Sequence, residues 1–305
     1  WSTTYAPLQQ YGLKVKFVDI DIETLNFDLN VLEEAVSDKT KAILAVNLLG
    51  NPNDFNRILS IIKDKNILLL EDNCESMGSM FDGKYSGTFG LMGTFSSFYS
   101  HHIATMEGGC ILTDNEEMYH ILLCLRAHGW TRNLPDENFV TGLKSKDEFE
   151  ESFKFVLPGY NVRPLEMSGA IGREQLKKLP KFIEARRQNS IFLQDLFHEN
   201  EDFIIQKEIG TSSWFGFSMI IKEKSRLDRK NLIDLLIKKG IDSRPIVTGN
   251  FVKNKSVLKH FDYEIFGNLQ NAEFLENRGF FVGNSQKDLY KEINYLYSVL
   301  KSISS

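Results

Sequence analysis

Cysteine is scarce in this chain. There are three, Cys74, Cys110 and Cys124, an odd number, widely spaced and without a CxxC pair. That excludes a disulfide framework and matches neither a zinc nor an iron–sulfur ligand pattern. Long apolar runs are also missing: none approaches the ~18 residues of a membrane span, and no signal-peptide pattern is visible. Basic charge is not in excess. Lys and Arg number 36 against 41 Asp and Glu, a net charge of −5, whereas a nucleic-acid binder normally carries the opposite balance. A single phosphorylated ligand held by a few local cations remains compatible with that charge. Internal repeats and low-complexity segments are absent. The expectation is a protein of the reducing cytoplasm, with neither nucleic acid nor membrane among its partners. The chain opens "WSTTYAPLQQYG" without an initiator Met, and residues 3 and 4 read as the inside of a fold. An N-terminal stretch is therefore expected to be missing.

What is present is alternation. A length of 305 residues suggests about two domains. The pattern predicts a strand over 13–21, a short helix over 30–38, and an apolar strand-like run over 41–50 that ends in glycine. A helix follows over 53–65, then a buried strand over 66–73. Such βαβ order implies an α/β fold with a mainly parallel sheet, whose ligands bind beyond the carboxyl ends of the strands. Residues 93–100 and 110–113 read as two strands joined through Gly108-Gly109, and 116–127 as a helix. The stretch 129–160 has weak periodicity, so it should carry local structure or lie against a ligand or partner. Residues 164–197 read as long helical material with Pro180 as a break or kink. Beyond them a strand (212–222), a helix (229–239), a strand candidate near 241–247 and a terminal helix (287–301) suggest a smaller second α/β part. The expected division is 1–163, a large domain, and 164–305, a linking helix with a C-terminal small domain.

Several residues could carry chemistry. Asp72 follows the run Ile67–Glu71 and so stands at the carboxyl end of a central strand. A carboxylate there can ligate a metal, act as a base, pair with a cationic ring nitrogen, or simply cap a turn. Glu75 lies three residues on, within reach of the same pocket. Ser96 and Ser97 end another strand, where they could bind phosphate or serve the fold. In "GTFSSFYSHHIATMEGGC" two histidines are adjacent, and adjacent residues on an extended chain face opposite ways. His101 and His102 therefore make a poor metal clamp, and at most one should enter a given pocket. No metal site is expected. Asn161 and Arg163 sit ahead of a helix in "GYNVRPLEMSGAIG", while His128, Arg132 and Arg244 are candidate anion contacts or solvated surface groups.

Three motifs in order, "EDNCESMGS", "GTFSSFYSHHIATMEGG" and "GYNVRPLEMSGAIGREQLKKL", closely resemble the sugar aminotransferase and dehydratase family of fold-type I pyridoxal phosphate enzymes. The likeness covers the whole chain. It implies that Asp72 pairs with the pyridine nitrogen of the cofactor, bound as pyridoxal or pyridoxamine 5′-phosphate. Ser96 corresponds to the serine on its phosphate, and Trp1 to the aromatic residue on its ring. Glu75 stands where the family usually has Gln, near the ring hydroxyl. Asn161 corresponds to an asparagine that reaches the phosphate from a neighbouring subunit, which implies a homodimer with shared sites.

The departure is at His101, which occupies the place of the lysine that the aminotransferases bond to the cofactor. Histidine cannot form that stable bond but can move protons near neutral pH. Within the family the exchange marks sugar 3-dehydratases. The resemblance thus implies removal of the C3 hydroxyl from a GDP-linked 4-keto-6-deoxy sugar, with L-glutamate as amino donor and His101 as acid and base. His128, Arg132 and Arg244 are the expected substrate contacts. A related branch adds an iron–sulfur cluster and a reductase partner; three scattered cysteines do not supply its four ligands.

Overall fold

A computed structural model describes residues 1–303. The first half builds α1 (Ser2–Gln10), β1 (Val15–Phe17), α2 (Leu29–Ala35), β2 (Ala42–Val46), α3 (Phe55–Ile62) and β3 (Leu68–Asp72). A small hairpin of β4 (Met80–Phe81) and β5 (Lys84–Tyr85), then β6 (Met92–Ser96), β7 (Gly109–Leu112) and α4 (Glu116–Leu125) follow. Four strands form the main sheet in the order β2-β3-β6-β7. The first three are parallel and β7 is antiparallel to β6. Helix starts are written locally: Asp28, Asp54 and Asn115 each accept a backbone N–H of the first turn of α2, α3 and α4.

Apolar spacing then decides what faces the sheet. In α3, Phe55, Ile58, Ile61 and Ile62 fall on one face and pack with Ile43, Ala45 and Leu69. Each such side chain contributes about 1.5–3 kcal/mol when fully buried. Glu71, in the middle of β3's buried face, is an exception that is fully satisfied. Its Oε1 accepts from Phe89 N at 2.6 Å and Gly90 N at 2.8 Å, and its Oε2 from Gly87 N at 2.5 Å and Asn47 Nδ2 at 3.3 Å. The buried carboxylate thus fastens the 87–90 turn to the strand that ends at Asp72.

Residues 129–160 do have local structure. They hold the hairpin of β8 (Glu137–Asn138) and β9 (Gly142–Leu143) and the short helix α5 (Glu148–Ser152), capped by Asp147. Trp130 stacks on Phe153 with ring centroids 5.3 Å apart. Then α6 (Glu166–Phe197) runs 32 residues without interruption through Pro180. The expected break is absent. Proline costs the interior one hydrogen bond, and at Leu176, four residues back and 57% exposed, solvent can serve the freed carbonyl.

The C-terminal part contains β10 (Phe203–Ile205), β11 (Gly216–Ile221), α7 (Arg229–Lys238), α8 (Lys255–Leu258), β12 (Tyr263–Ile265), α9 (Gln270–Arg278), β13 (Gly279–Gly283) and α10 (Tyr290–Lys301). Its three-stranded sheet, β10-β11-β13, is antiparallel and buries every residue of β11. The strand expected near 241–247 does not form. Only Arg244 bridges, to Phe281 of β13, because Pro245 next in the chain has no N–H to continue a ladder. The two parts are sewn together: β1 pairs in parallel with β12, and Leu25 and Leu49 share a core with Ile220, Ile246 and Leu275. Among the described residues no helix is long and apolar enough to cross a membrane.

Candidate active site

The site forms where the parallel strands end. Asp72 is the last residue of β3, and its carboxylate is held from two sides. Oδ2 accepts from Thr4 Oγ1 at 2.8 Å, and Oδ1 from the Cys74 N–H at 3.1 Å. Thr4 is half-buried while Thr3 is exposed, so only one of the two threonines expected inside is there. The Trp1 indole is 64% exposed.

Glu75 accepts the Leu49 N–H at 3.1 Å through Oε2. Burial raises its carboxyl above the ordinary range, and the Asp72 charge adds to that, while the Leu49 bond pulls it down. The Cys74 thiol is pushed up to about 12 by burial first and the Asp72 carboxylate second, so it stays protonated.

His101 comes to the same place from the turn after β6. It too is half-buried, with its Nδ1 shut away from solvent and lacking a hydrogen-bond partner. Desolvation lowers its proton affinity, against the opposing pull of the Asp72 carboxylate and the Phe98 carbonyl. The imidazole is therefore neutral and ready to accept a proton at neutral pH. Its neighbour is different. His102 is 3% exposed, with Nε2 at 3.2 Å from the Ser213 carbonyl oxygen. Burial and then the Arg186 charge depress it to about 3. The two histidines face different surroundings, and among the described residues no cluster of His, Cys, Asp or Glu could hold a metal.

The remaining expected residues are spread out. Ser96 ends β6 two positions beyond Thr94, the partner of Asp72 across the sheet, and its Oγ accepts the Phe98 N–H at 3.2 Å. Ser97 instead bonds Thr105, hydroxyl to hydroxyl, at 2.6 Å, a structural role. Asn161 is exposed, pairs through its backbone with Ala127, and its side chain makes no hydrogen bond among the described residues. His128, in the left-handed region at φ 65, donates its N–H to Tyr160 O at 2.7 Å. Arg132 lies over the Trp130 ring at 4.9 Å. Both belong to the 127–160 lobe and make no contact with Asp72 or His101. Arg244 is exposed beside Asp242, but its backbone is bonded to Phe281 in both directions.

The sequence reading missed four contributors: Thr4, Leu49, Phe215 and Arg186. Thr4 carried the one usable signal, a polar residue judged to lie inside. Leu49 sits in a tight turn, 48–50, at φ 56; its carbonyl accepts the Phe215 N–H at 2.9 Å while its N–H serves Glu75. That turn requires Gly50, at φ 98, because a Cβ there would come within 2.4 Å of Trp214 N. Phe215, next in chain, places its ring centroid 5.4 Å from His101.

Comparison with known proteins shows the family to which the chain belongs. Residues 1–288 match the family described as DegT/DnrJ/EryC1/StrS aminotransferases. The chain is 68% identical over 301 residues to the GDP-4-keto-6-deoxy-D-mannose 3-dehydratase of Escherichia coli O55:H7, spanning 99% of itself and 78% of that relative. The solved E. coli enzyme of that name with bound hydrated PLP superimposes with a TM-score of 0.97 at 68% identity, covering 98% of this chain and 77% of that one. A second structure of such an enzyme, with a trapped PLP-glutamate geminal diamine, also gives 0.97 at 67% identity, over 98% of this chain and 78% of that one.

Proposed function

The chain belongs to the DegT/DnrJ/EryC1/StrS aminotransferase family, and from that premise we infer that it removes the C3 hydroxyl of GDP-4-keto-6-deoxy-D-mannose. Pyridoxal phosphate is the cofactor, L-glutamate the amino donor, and a 3,6-dideoxy-4-keto sugar nucleotide the product. One observation carries the reading. A histidine, His101, stands within electrostatic reach of Asp72, in a chain 68% identical to a protein of that activity.

The residues fit the cofactor. Asp72 enters no side-chain ion pair among the described residues; its oxygens take the Thr4 hydroxyl and the Cys74 N–H, with the Cys74 thiol beside them. A cationic ring nitrogen would find a carboxylate free to pair. The His101 ring stands within electrostatic reach of that carboxylate, beside the place a ring nitrogen would take. Asp72 would keep the ring nitrogen protonated, Trp1 would lie on the ring face and Glu75 would stand near the ring hydroxyl. Ser96 would take the phosphate. When bound, the cofactor supplies an electron sink for the sugar's reacting carbons. His101 handles the protons: the neutral imidazole accepts one, and the resulting imidazolium delivers one to the departing C3 oxygen.

The same reading extends to assembly. Asn161, exposed and with no side-chain hydrogen bond among the described residues, supports a homodimer in which it reaches the partner's phosphate site. His128, Arg132 and Arg244 are our proposed contacts to the GDP-sugar. We place the division between large and small domains at 163/164. The protein is read as cytoplasmic, and the scattered cysteines support a reaction without an iron–sulfur reductase.

The test is direct. The protein is supplied with pyridoxal phosphate, L-glutamate and GDP-4-keto-6-deoxymannose, and the nucleotide sugars are analysed by mass spectrometry. Loss of the C3 oxygen with release of ammonia is expected. An amino sugar in its place would make the protein a transaminase, and no turnover with cofactor demonstrably bound would remove the reading.

A further inference from the structure

His101 is packed against an aromatic ring that is itself clamped. The Phe215 centroid lies 5.4 Å from the His101 ring, tilted 41°, and 5.6 Å from the His102 ring, tilted 46°. Four contacts fix it. Its N–H donates to Leu49 O at 2.9 Å, and its carbonyl accepts from Arg186 Nη1 at 2.9 Å. Its ring runs nearly parallel to Phe281, 16° apart at 6.4 Å, and the Arg186 guanidinium stands 5.9 Å from its centroid.

Arg186 is the unusual member. It is 4% exposed, and its Nη1 is shared between the carbonyls of Phe215 and Asn284, each at 2.9 Å. Its Nε has no partner, and no carboxylate pairs with it among the described residues. Burying a cation without a counter-ion is costly, and a hydrophobic side chain of similar size would be more stable there. What the cation achieves is geometric. It ties the main chain at Phe215 to that at Asn284, from a helix that belongs to neither strand. Its charge adds to the larger effect of burial in keeping His102 neutral near neutral pH, which leaves His101 as the histidine at this ring that can take up a proton there.

We propose that Phe215, clamped by Arg186, is a positioning residue for the proton transfers of His101. The proposal rests on the reading of His101 as acid and base. The ring holds the imidazole in one orientation and keeps water off one side of it, with the Phe98 ring edge-on at 5.9 Å as a second aromatic neighbour. Of the charged or titratable groups, Asp72 acts on His101 from β3 and His102 is its neighbour in the chain; Arg186 stands behind the Phe215 ring.

The experiment follows the His101 imidazole by NMR in the full chain labelled with 13C-histidine, with and without pyridoxal phosphate. Its signal is assigned by its loss in His101→Asn. Phe215→Ala opens the imidazole to water, so the His101 midpoint should rise toward the ordinary histidine value. Phe215→Leu should move it the same way by less, and Phe215→Tyr, which keeps the ring, should restore it. Arg186→Lys keeps the charge but loses the fork that holds two carbonyls, so it should resemble Phe215→Leu. In turnover, Phe215→Leu should lower kcat about tenfold or more through misorientation, with KM for the GDP-sugar little changed. Should Phe215→Ala not fold, Phe215→Leu carries both readouts. An unmoved midpoint and an unchanged kcat in folded Phe215→Leu would reduce Phe215 to packing and overturn the proposal. A His101→Asn variant as active as the parent would instead sink the acid–base reading beneath it, whatever the Phe215 variants do.

Discussion

Thr4 and Asp72, 68 positions apart, meet in a single hydrogen bond of 2.8 Å from the hydroxyl to Oδ2. The bond fixes the rotation of the carboxylate proposed to hold the cofactor's ring nitrogen. A typical hydrogen bond contributes about 0.5–1.5 kcal/mol net, more when one partner is charged. Thr4→Val should therefore weaken pyridoxal phosphate binding about three- to tenfold while leaving the melting temperature nearly unchanged. A cofactor titration by fluorescence measures it. Unaltered affinity would show that Asp72 is oriented without Thr4.

His101→Lys should exchange one chemistry for another. Dehydration should fall by about 10²–10⁴, the usual worth of a positioned acid–base group. Borohydride should then fix the cofactor to the protein, visible as a mass increase, which the parent should not show. A variant that dehydrates as fast as the parent would refute the role given to His101.

Asn161 and His101 should complement one another across subunits if sites are shared. His101→Ala and Asn161→Ala homodimers should each be impaired. Mixed dimers should recover one site with both residues intact, near half the parent's activity for purified mixed dimers and about a quarter for a random even mixture of subunits. Verified mixed dimers with no recovery would put both residues in one subunit's site.

Glu71 is expected to matter for stability ahead of chemistry. Replacing it by Ala leaves the N–H groups of Gly87, Phe89 and Gly90 without their acceptor. Each buried donor left unsatisfied costs about 1–3 kcal/mol, so Glu71→Ala should lose at least ~3 kcal/mol in urea unfolding. Glu71→Gln, which retains one acceptor oxygen, should lose less. Parent-like unfolding of Glu71→Ala would mean that water replaces the carboxylate.

His102 makes stability depend on pH. Its folded proton affinity is depressed to about 3, below the ordinary histidine value that the unfolded chain shows. Above that ordinary value both states are neutral and His102 has no effect. As pH falls below it, the unfolded state takes up a proton that the folded state refuses. Stability should then drop by up to about 1.4 kcal/mol per pH unit from this residue, down to the folded value. His102→Gln, which can still donate to the Ser213 carbonyl, should flatten unfolding free energy between about pH 6 and 4. Equal slopes in parent and variant would show that another group governs this range.

The sequence by itself determined most of what is local. Asp28, Asp54 and Asn115 announce helix starts by supplying an acceptor to the first turn, and the apolar run 66–73 announces β3, although that strand buries one face and not both: Leu69 and Glu71 are buried while Leu68 is 49% exposed. The α/β class and the parallel pairing of β2 with β3 follow from that alternation; β6 joins them through a hairpin, with no helix between. The motifs around Asp72, His101 and Asn161 carried the resemblance to the enzyme family. Tertiary structure decided the rest. Near 241–247 the local pattern favours a strand, but Pro245 has no N–H to continue a ladder and Arg244 is left a lone bridge to β13. Pro180 looks like a break, yet α6 continues, because the half of the helix around it is largely exposed and solvent can serve the freed carbonyl, while the buried residues lie beyond it, from Arg186 to Phe197. Leu49 binding Glu75 and Phe215, and Arg186 holding Phe215, have no sequence signature. Their partners are 26 to 166 positions away, and a backbone N–H or carbonyl is the same in every residue that could have been there.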